Sequence, residues 1–266
     1  MNSALDPTAL LPLLLLALLA SYVQSVAGFA LGMIMMAVAG GLDWYPVATL
    51  AGLVTLLSLA NIGVALRGAW RHVDLALVRP VVTGQVLAIG IGLWLLYAMS
   101  SGPVFLLKAL LGLFIALGSL ALAVRPTPFR SRTRPGPAFA TGLLGGLVGG
   151  LFAAAGPVIG WFMYRQPLPF VEVRATLLAC FLVSTVTRTT LLLAFGLLTP
   201  ELLWLLAMTL PVVLLGSWLG SALPPPVKES TIKQAAFVVL VLLGIWIVID
   251  STTRLLDAVP FTGTVL

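Results

Sequence analysis

The sequence predicts an all-α membrane protein, a polytopic helical bundle of two homologous halves. Three observations predict it: an extreme apolar composition, eight apolar stretches of about membrane-spanning length, and an internal repeat. Of 266 residues, 61% are hydrophobic and 8% charged, with a mean hydropathy of +1.16. A soluble domain carries about 25% charged residues, so this chain lacks the polar surface to clothe a water-exposed fold. Disorder requires the opposite composition. The net charge of +6 could suggest nucleic acid. The basic residues, however, are scattered between apolar runs with no basic, aromatic-bearing face, so no nucleic-acid partner is expected.

The apolar stretches cover about 9–39, 46–66, 75–98, 103–124, 138–163, 173–197, 199–223 and 232–253. Most are close to the ~20 residues that a membrane helix needs. The first is too long for one simple span and is interrupted near Gly28 and Gly32. Its LLPLLLLALLA core resembles a signal-peptide h-region, but Asp6 and no basic residue precede it, so a retained segment is expected. The fifth stretch, GLLGGLVGGLFAAAGPVIG, is broken at Gly156-Pro157. Dense glycine with an internal proline predicts a helix that breaks or folds back on itself. The polar run RPTPFRSRTRPGP, residues 125–137, reads as a basic cytoplasmic linker between a first transmembrane repeat, 1–124, and a second, 138–266.

The halves align at a shift of 126–128 residues. AGFALG (27–32) lies over AGPVIG (155–160), Ala48-Thr49-Leu50 over Ala175-Thr176-Leu177, Asp74-Leu75 over Glu201-Leu202, and Gly118 over Gly244. Repeated halves are common in transporters. The placement of Lys and Arg weighs two topologies. If all eight stretches span, eight basic residues lie inside and five outside, with Arg188 left in the membrane. If stretches one and five are re-entrant hairpins, the split becomes eleven to two, with only Lys108 and Arg254 outside. The second arrangement explains both the glycine breaks and the charges, and it makes the halves inverted.

One charge lies deep inside an apolar stretch, Arg188 of STVTRTT. A buried guanidinium costs at least ~2.5–3.5 kcal/mol, so it must face protein or a water-filled cavity. No acid lies centrally in any stretch to pair with it. A permanently charged, forked donor without a counter-ion suits an oxyanion. Helical spacing puts Ser184 and Thr185 on the face of Arg188, as further donors. The 127-residue shift lays Arg188 over Asn61 and Thr185 over Ser58, which predicts a matching polar pair at the same depth. The breaks supply two candidate backbone turns, one from Gln24, Ser25, Gly28 and Gly32, the other from Gly156 and Gly160. Gln85 reads as a packing hydrogen bond, and Arg165, Glu172, Arg174, Lys228 and Glu229 as interfacial charges or gate pairs.

AGFALG opening one half, AGPVIG in the other, and two four-segment halves joined by a basic linker resemble the TauE/SafE family of sulfite exporters, over about residues 9–253. The matching positions are Gly28, Phe29 and Gly32, then Gly156 and Gly160, while Pro157 departs from the family's usual pattern. The resemblance implies a bacterial inner-membrane, multi-pass carrier for sulfite, sulfoacetate or a related sulfonate.

The expected function is therefore a secondary transporter exporting a small anion by alternating access, with one half rocking against the other. An anion channel, or an importer of an organic carboxylate or sulfonate, is the alternative. A membrane enzyme is not expected, with a single histidine, His72, and no clustered acids. One cysteine, Cys180, and one histidine leave too few ligands for a metal site, and no cofactor is expected. The expected partners are the small anion and the bilayer, with a homodimer left open.

Overall fold

A computed structural model describes residues 7–27, 29–102, 104–123, 128–223 and 229–258. Among them every regular element is helical, and six helices are long and apolar enough to cross a membrane. The first apolar stretch divides into α1 (Pro7–Ala27) and α2 (Leu31–Met35), the latter continued by a π-helical turn, Met36–Gly40. α3 (Val47–Ala65), α4 (Leu75–Ser100) and α5 (Val104–Ala123) complete the first half. The fifth stretch divides likewise into α6 (Pro135–Phe152) and α7 (Gly156–Tyr164). α8 (Phe170–Ala194), α9 (Pro200–Ala222) and α10 (Glu229–Ala258) follow.

The helix ends follow from local chemistry. The Asp74 carboxylate caps α4 by accepting from the N–H groups of Ala76 and Leu77, and the Thr199 hydroxyl caps α9 by accepting from Leu202. Gly196, at φ 64°, closes α8 in a conformation that glycine adopts without strain. α6 starts at Pro135, inside the run expected as linker, because proline suits a first helical turn.

α6 and α7 form a hairpin. Gly149 faces Ala155 and Gly145 faces Ile159, so the two run antiparallel. The Gln166 amide, just past α7, donates to the Thr133 hydroxyl and accepts from its N–H, at 2.9 and 3.2 Å, just before α6. The segment thus leaves by the end at which it entered. α2 folds back along α3 in the same sense, with Gly32 beside Val54 and Gly40 beside Leu50. α1 runs parallel to α9, Leu18 near Gly216 and Tyr22 near Gly220, while α3 runs parallel to α9 with Gly52 near Leu202 and Asn61 near Ser217. α1 and α3 therefore point the same way, and α2 is the return arm between them.

The charges sort accordingly. At one end Arg132 pairs with Asp74, the Asp74 N–H donates to the Thr176 hydroxyl, and the Arg165 guanidinium lies over the Phe129 and Trp161 rings. At the other end Lys108 and Arg254 converge on Asp43, and Arg254 also holds Asp250. Lys228 and Arg125 lie outside the described residues.

Packing is set by glycine. α4 and α6 touch backbone to backbone: a Cβ on Gly84 or Gly92 of α4, or on Gly142, Gly146 or Gly150 of α6, would strike the other helix's main chain. α9 approaches α1 in the same manner at Gly216 and Gly220. Each of these pairs joins a helix of one half to a helix of the other. α3 and α8 meet antiparallel, with Ile62 and Leu66 against Leu178 near one end and Ser58 opposite Ser184 farther along. α5 and α10 also meet antiparallel, at Gly112 and Gly244.

Candidate functional site: a buried arginine between two hairpin tips

The two hairpin tips meet inside the bundle. An added Cβ on Gly32 would lie 2.5 Å from the Ala153 carbonyl oxygen, and one on Gly156 would lie 2.9 Å from the Phe29 ring. Each tip holds a non-glycine residue at positive φ, Ala30 at 137° and Ala153 at 55°. Such backbone costs about 1–3 kcal/mol and persists where the surroundings enforce it.

Between the tips and the α3–α8 pair lies a cavity of about 60 Å³. That is well above the ~10–15 Å³ needed to admit a single water, so it has room for more than one water or for a small oxyanion. Its polar wall is Arg188, Ser184, Thr185, Ser58, Thr55 and Gln24, and its apolar wall includes Phe29, Met33, Ile62, Ile89 and Phe181. Arg188 is its one ionisable lining residue among those described.

Arg188 is only 3% exposed. Its Nη1 donates to the Gly149 carbonyl at 2.7 Å, whereas its Nε and Nη2 have no hydrogen-bond partner. Among the described residues no carboxylate pairs with it. Two buried, charged donors left open are costly. Together they form one edge of the guanidinium, the geometry that grips two oxygens of one anion.

Ser184 is held by Gln85, whose Nε2 donates to the Ser184 hydroxyl oxygen. A hydroxyl that accepts from Gln85 keeps its own proton to give elsewhere. Gln85 is thus the packing hydrogen bond the sequence suggested, joining α4 to a cavity-lining serine of α8. Thr185 also lines the cavity, but its hydroxyl is committed to the carbonyls of Phe181 and Leu182 on its own helix. Thr55 likewise bonds back to Ala51.

Asn61 is not at the cavity. Its Nδ2 donates to the Ser21 carbonyl at 3.3 Å and to the Ser217 hydroxyl at 2.7 Å, and its Oδ1 accepts from Gln24 Nε2 at 2.9 Å. Both of its N–H donors are spent tying α1, α3 and α9 together, and it does not line the cavity where the sequence had placed it. Ser25 is a tie as well, paired with Ser217 at 3.1 Å. Gln24 does both: its Oε1 accepts from the Leu31 N–H at 3.0 Å, fixing the first tip, and the side chain lines the cavity. Arg174 is not a solvated charge, since its guanidinium donates to the Ser25 carbonyl in the last turn of α1, where a cation suits the helix dipole.

Gly32 and Gly156 line the cavity; Gly160 stands behind Phe29, with 3.8 Å to spare for a Cβ, and does not line it. Gly28 lies outside the described residues. Ile89 and Phe181 were not foreseen as lining, for apolar residues within apolar helices give no separate signal. No cluster of His, Cys, Asp or Glu able to hold a metal occurs among the described residues.

Comparison with known proteins now bears on this geometry. The family model for the sulfite exporter TauE/SafE matches residues 13–247. A protein from Cupriavidus necator described as a probable sulfite/organosulfonate exporter TauE is 40% identical over 238 residues, covering 88% of this chain and 93% of that protein. No solved structure matches. The chain belongs to the TauE/SafE sulfite exporter family, a family of multi-pass membrane transporters.

Proposed function

We propose that this member of the family is a bacterial inner-membrane carrier that exports a small sulfur-containing anion, sulfite or an organosulfonate, by alternating access. One observation carries the reading: the two open donors of Arg188 at a small buried cavity without a carboxylate. The likeness to the Cupriavidus necator exporter supports the substrate class and the direction. The apolar wall of Phe29, Ile89 and Phe181 suits the carbon end of a sulfonate as well as a bare oxyanion.

No carboxylate or histidine lines the cavity among the described residues, so nothing there offers a proton relay. An anion leaving a negative interior gains ~2.3 kcal/mol per charge per 100 mV, enough to drive export. The closed contact of the hairpin tips at Gly32 and Ala153 favours a carrier over an open channel. The antiparallel meeting of α3 with α8 and of α5 with α10 supports two inverted repeats.

The moving bodies are then not the two sequence halves. Glycine contacts fasten α1 to α9 and α6 to α4 across the halves, and rocking half against half would tear both. Rocking of an α1–α3–α9 body against an α4–α6–α8 body leaves them intact.

Proteoliposomes loaded with sulfite or sulfoacetate test the proposal. Saturable efflux that accelerates under an imposed potential, outside positive, is expected. Flux indifferent to the potential would remove the driving force proposed, and flux that never saturates would favour the channel. An oxidised Ser25→Cys/Ser217→Cys pair should retain transport if α1 and α9 move as one; a blocked carrier would return the motion to the sequence halves.

A further inference from the structure

We infer that the outer surface of the bundle carries a binding groove for one acyl chain of an anionic phospholipid from the leaflet at the basic end. A second cavity, about 550 Å³ and almost wholly apolar, opens between α5, α6 and α7. It is bounded by Leu110 and Leu117 of α5, Thr141 and Leu144 of α6, and Pro157 and Trp161 of α7. Leu117 and Leu144 are among the exposed large apolar residues of the chain. On both α5 (Leu110 to Ala121) and α6 (Thr141 to Phe152) the lining extends over eleven residues' rise, about 16 Å. That is about half of the ~30 Å hydrocarbon core, the depth of one leaflet.

The mouth of the groove is basic. Arg165 lies 4.5 Å from the Trp161 ring centre and 4.2 Å from that of Phe129. Arg134 stands exposed at the N-cap of α6, and Arg130 stands exposed beside Phe129. Positive residues concentrate on the cytoplasmic side, and basic pockets between helices on that side hold anionic head groups. The length of the groove and the charge at one end of it therefore specify the same occupant, a phospholipid with chain inward and phosphate at the arginines.

The floor ties this groove to the interior. Phe152 and Pro157 line the groove, and the residues between them, Ala153 to Gly156, line the anion cavity on the other side. An acyl chain in the groove thus braces the second hairpin tip from behind.

Trp161, 38% exposed, is a built-in reporter. The full-length protein is reconstituted into phosphatidylcholine vesicles containing bromine-labelled acyl chains on either phosphatidylglycerol or phosphatidylcholine, and tryptophan quenching is measured. The brominated phosphatidylglycerol should quench at lower mole fraction, and Trp161→Phe should remove that component. Arg130→Gln and Arg134→Gln, both at exposed positions that leave the core untouched, should each weaken the preference about fivefold. Equal quenching by the two lipids would overturn the proposal. So would a preference that survives the double arginine variant, or a Trp161 shielded from both lipids by a second copy of the chain. Because the readout is lipid binding, it does not depend on the identity of the transported anion.

Discussion

Asn61 and Arg188 each donate from a buried side chain to a backbone carbonyl of another helix. Asn61 donates to the carbonyl of Ser21, and Arg188 to that of Gly149, residues related by a shift of 128. Beyond that bond the halves part. In the first, Ser217 and Gln24 satisfy the rest of the amide. In the second, two guanidinium donors have no partner. Asn61 is a closed tie, while Arg188 keeps one open edge. An anion site needs unpaired donors, and a stable bundle needs paired ones. This bundle holds both, because Asn61 ties the frame while Arg188 carries the cost of open donors.

The comparison breaks most readily at its extreme. Arg188→Ala should lower transport in proteoliposomes by at least about 100-fold, since it removes the charged partner of a buried anion. Arg188→Lys should recover only part, because the forked geometry is lost. Transport near the wild-type level in the alanine variant would end the case for the second half as the binding half.

The next contrast lies in Gly32 and Gly160, also mates at 128 residues. Gly32→Ala presses a methyl onto the Ala153 carbonyl and should cost about 1–3 kcal/mol of stability. Gly160→Ala meets nothing closer than 3.8 Å and should be neutral or gain up to ~1 kcal/mol from helix propensity. Thermal unfolding of both variants in one detergent measures the difference directly.

Asn61→Ala should cost about 1–3 kcal/mol by stranding Gln24 and Ser217. Transport by the protein that still folds should keep its affinity for the anion, and a large loss of affinity would move Asn61 back to the binding site. The smallest effect is expected for Ser58→Ala, a weakening of anion binding by about two- to tenfold for one lost hydroxyl.

Much of this was legible in the residues. Arg188 stood out because a charge inside an apolar helix demands an explanation, and the structure puts it at a cavity. The hairpins were legible in Gly156-Pro157 and in the sorting of arginines. The ties of Asn61 were not legible, because sequence alignment conveys position but not bonding: its partners Ser21, Gln24 and Ser217 come from two other helices. Ile89 and Phe181 were invisible for a different reason, since their neighbours in sequence are as apolar as they are. The fastening of α1 to α9 was hard to read from local pattern, for α1 meets Gly216 and Gly220 with Ser21 and Ser25 rather than with glycine.

That fastening has a consequence for how the protein is made. The Tyr22 hydroxyl donates to the carbonyl of Leu223, 201 residues away. At ~5–20 residues per second, a ribosome needs about 10–40 s to supply the second partner after the first has emerged. Through that interval α1 must wait in the membrane with its contact face against lipid or an insertion factor. The contacts that fasten α1 therefore form only once α9 has been made.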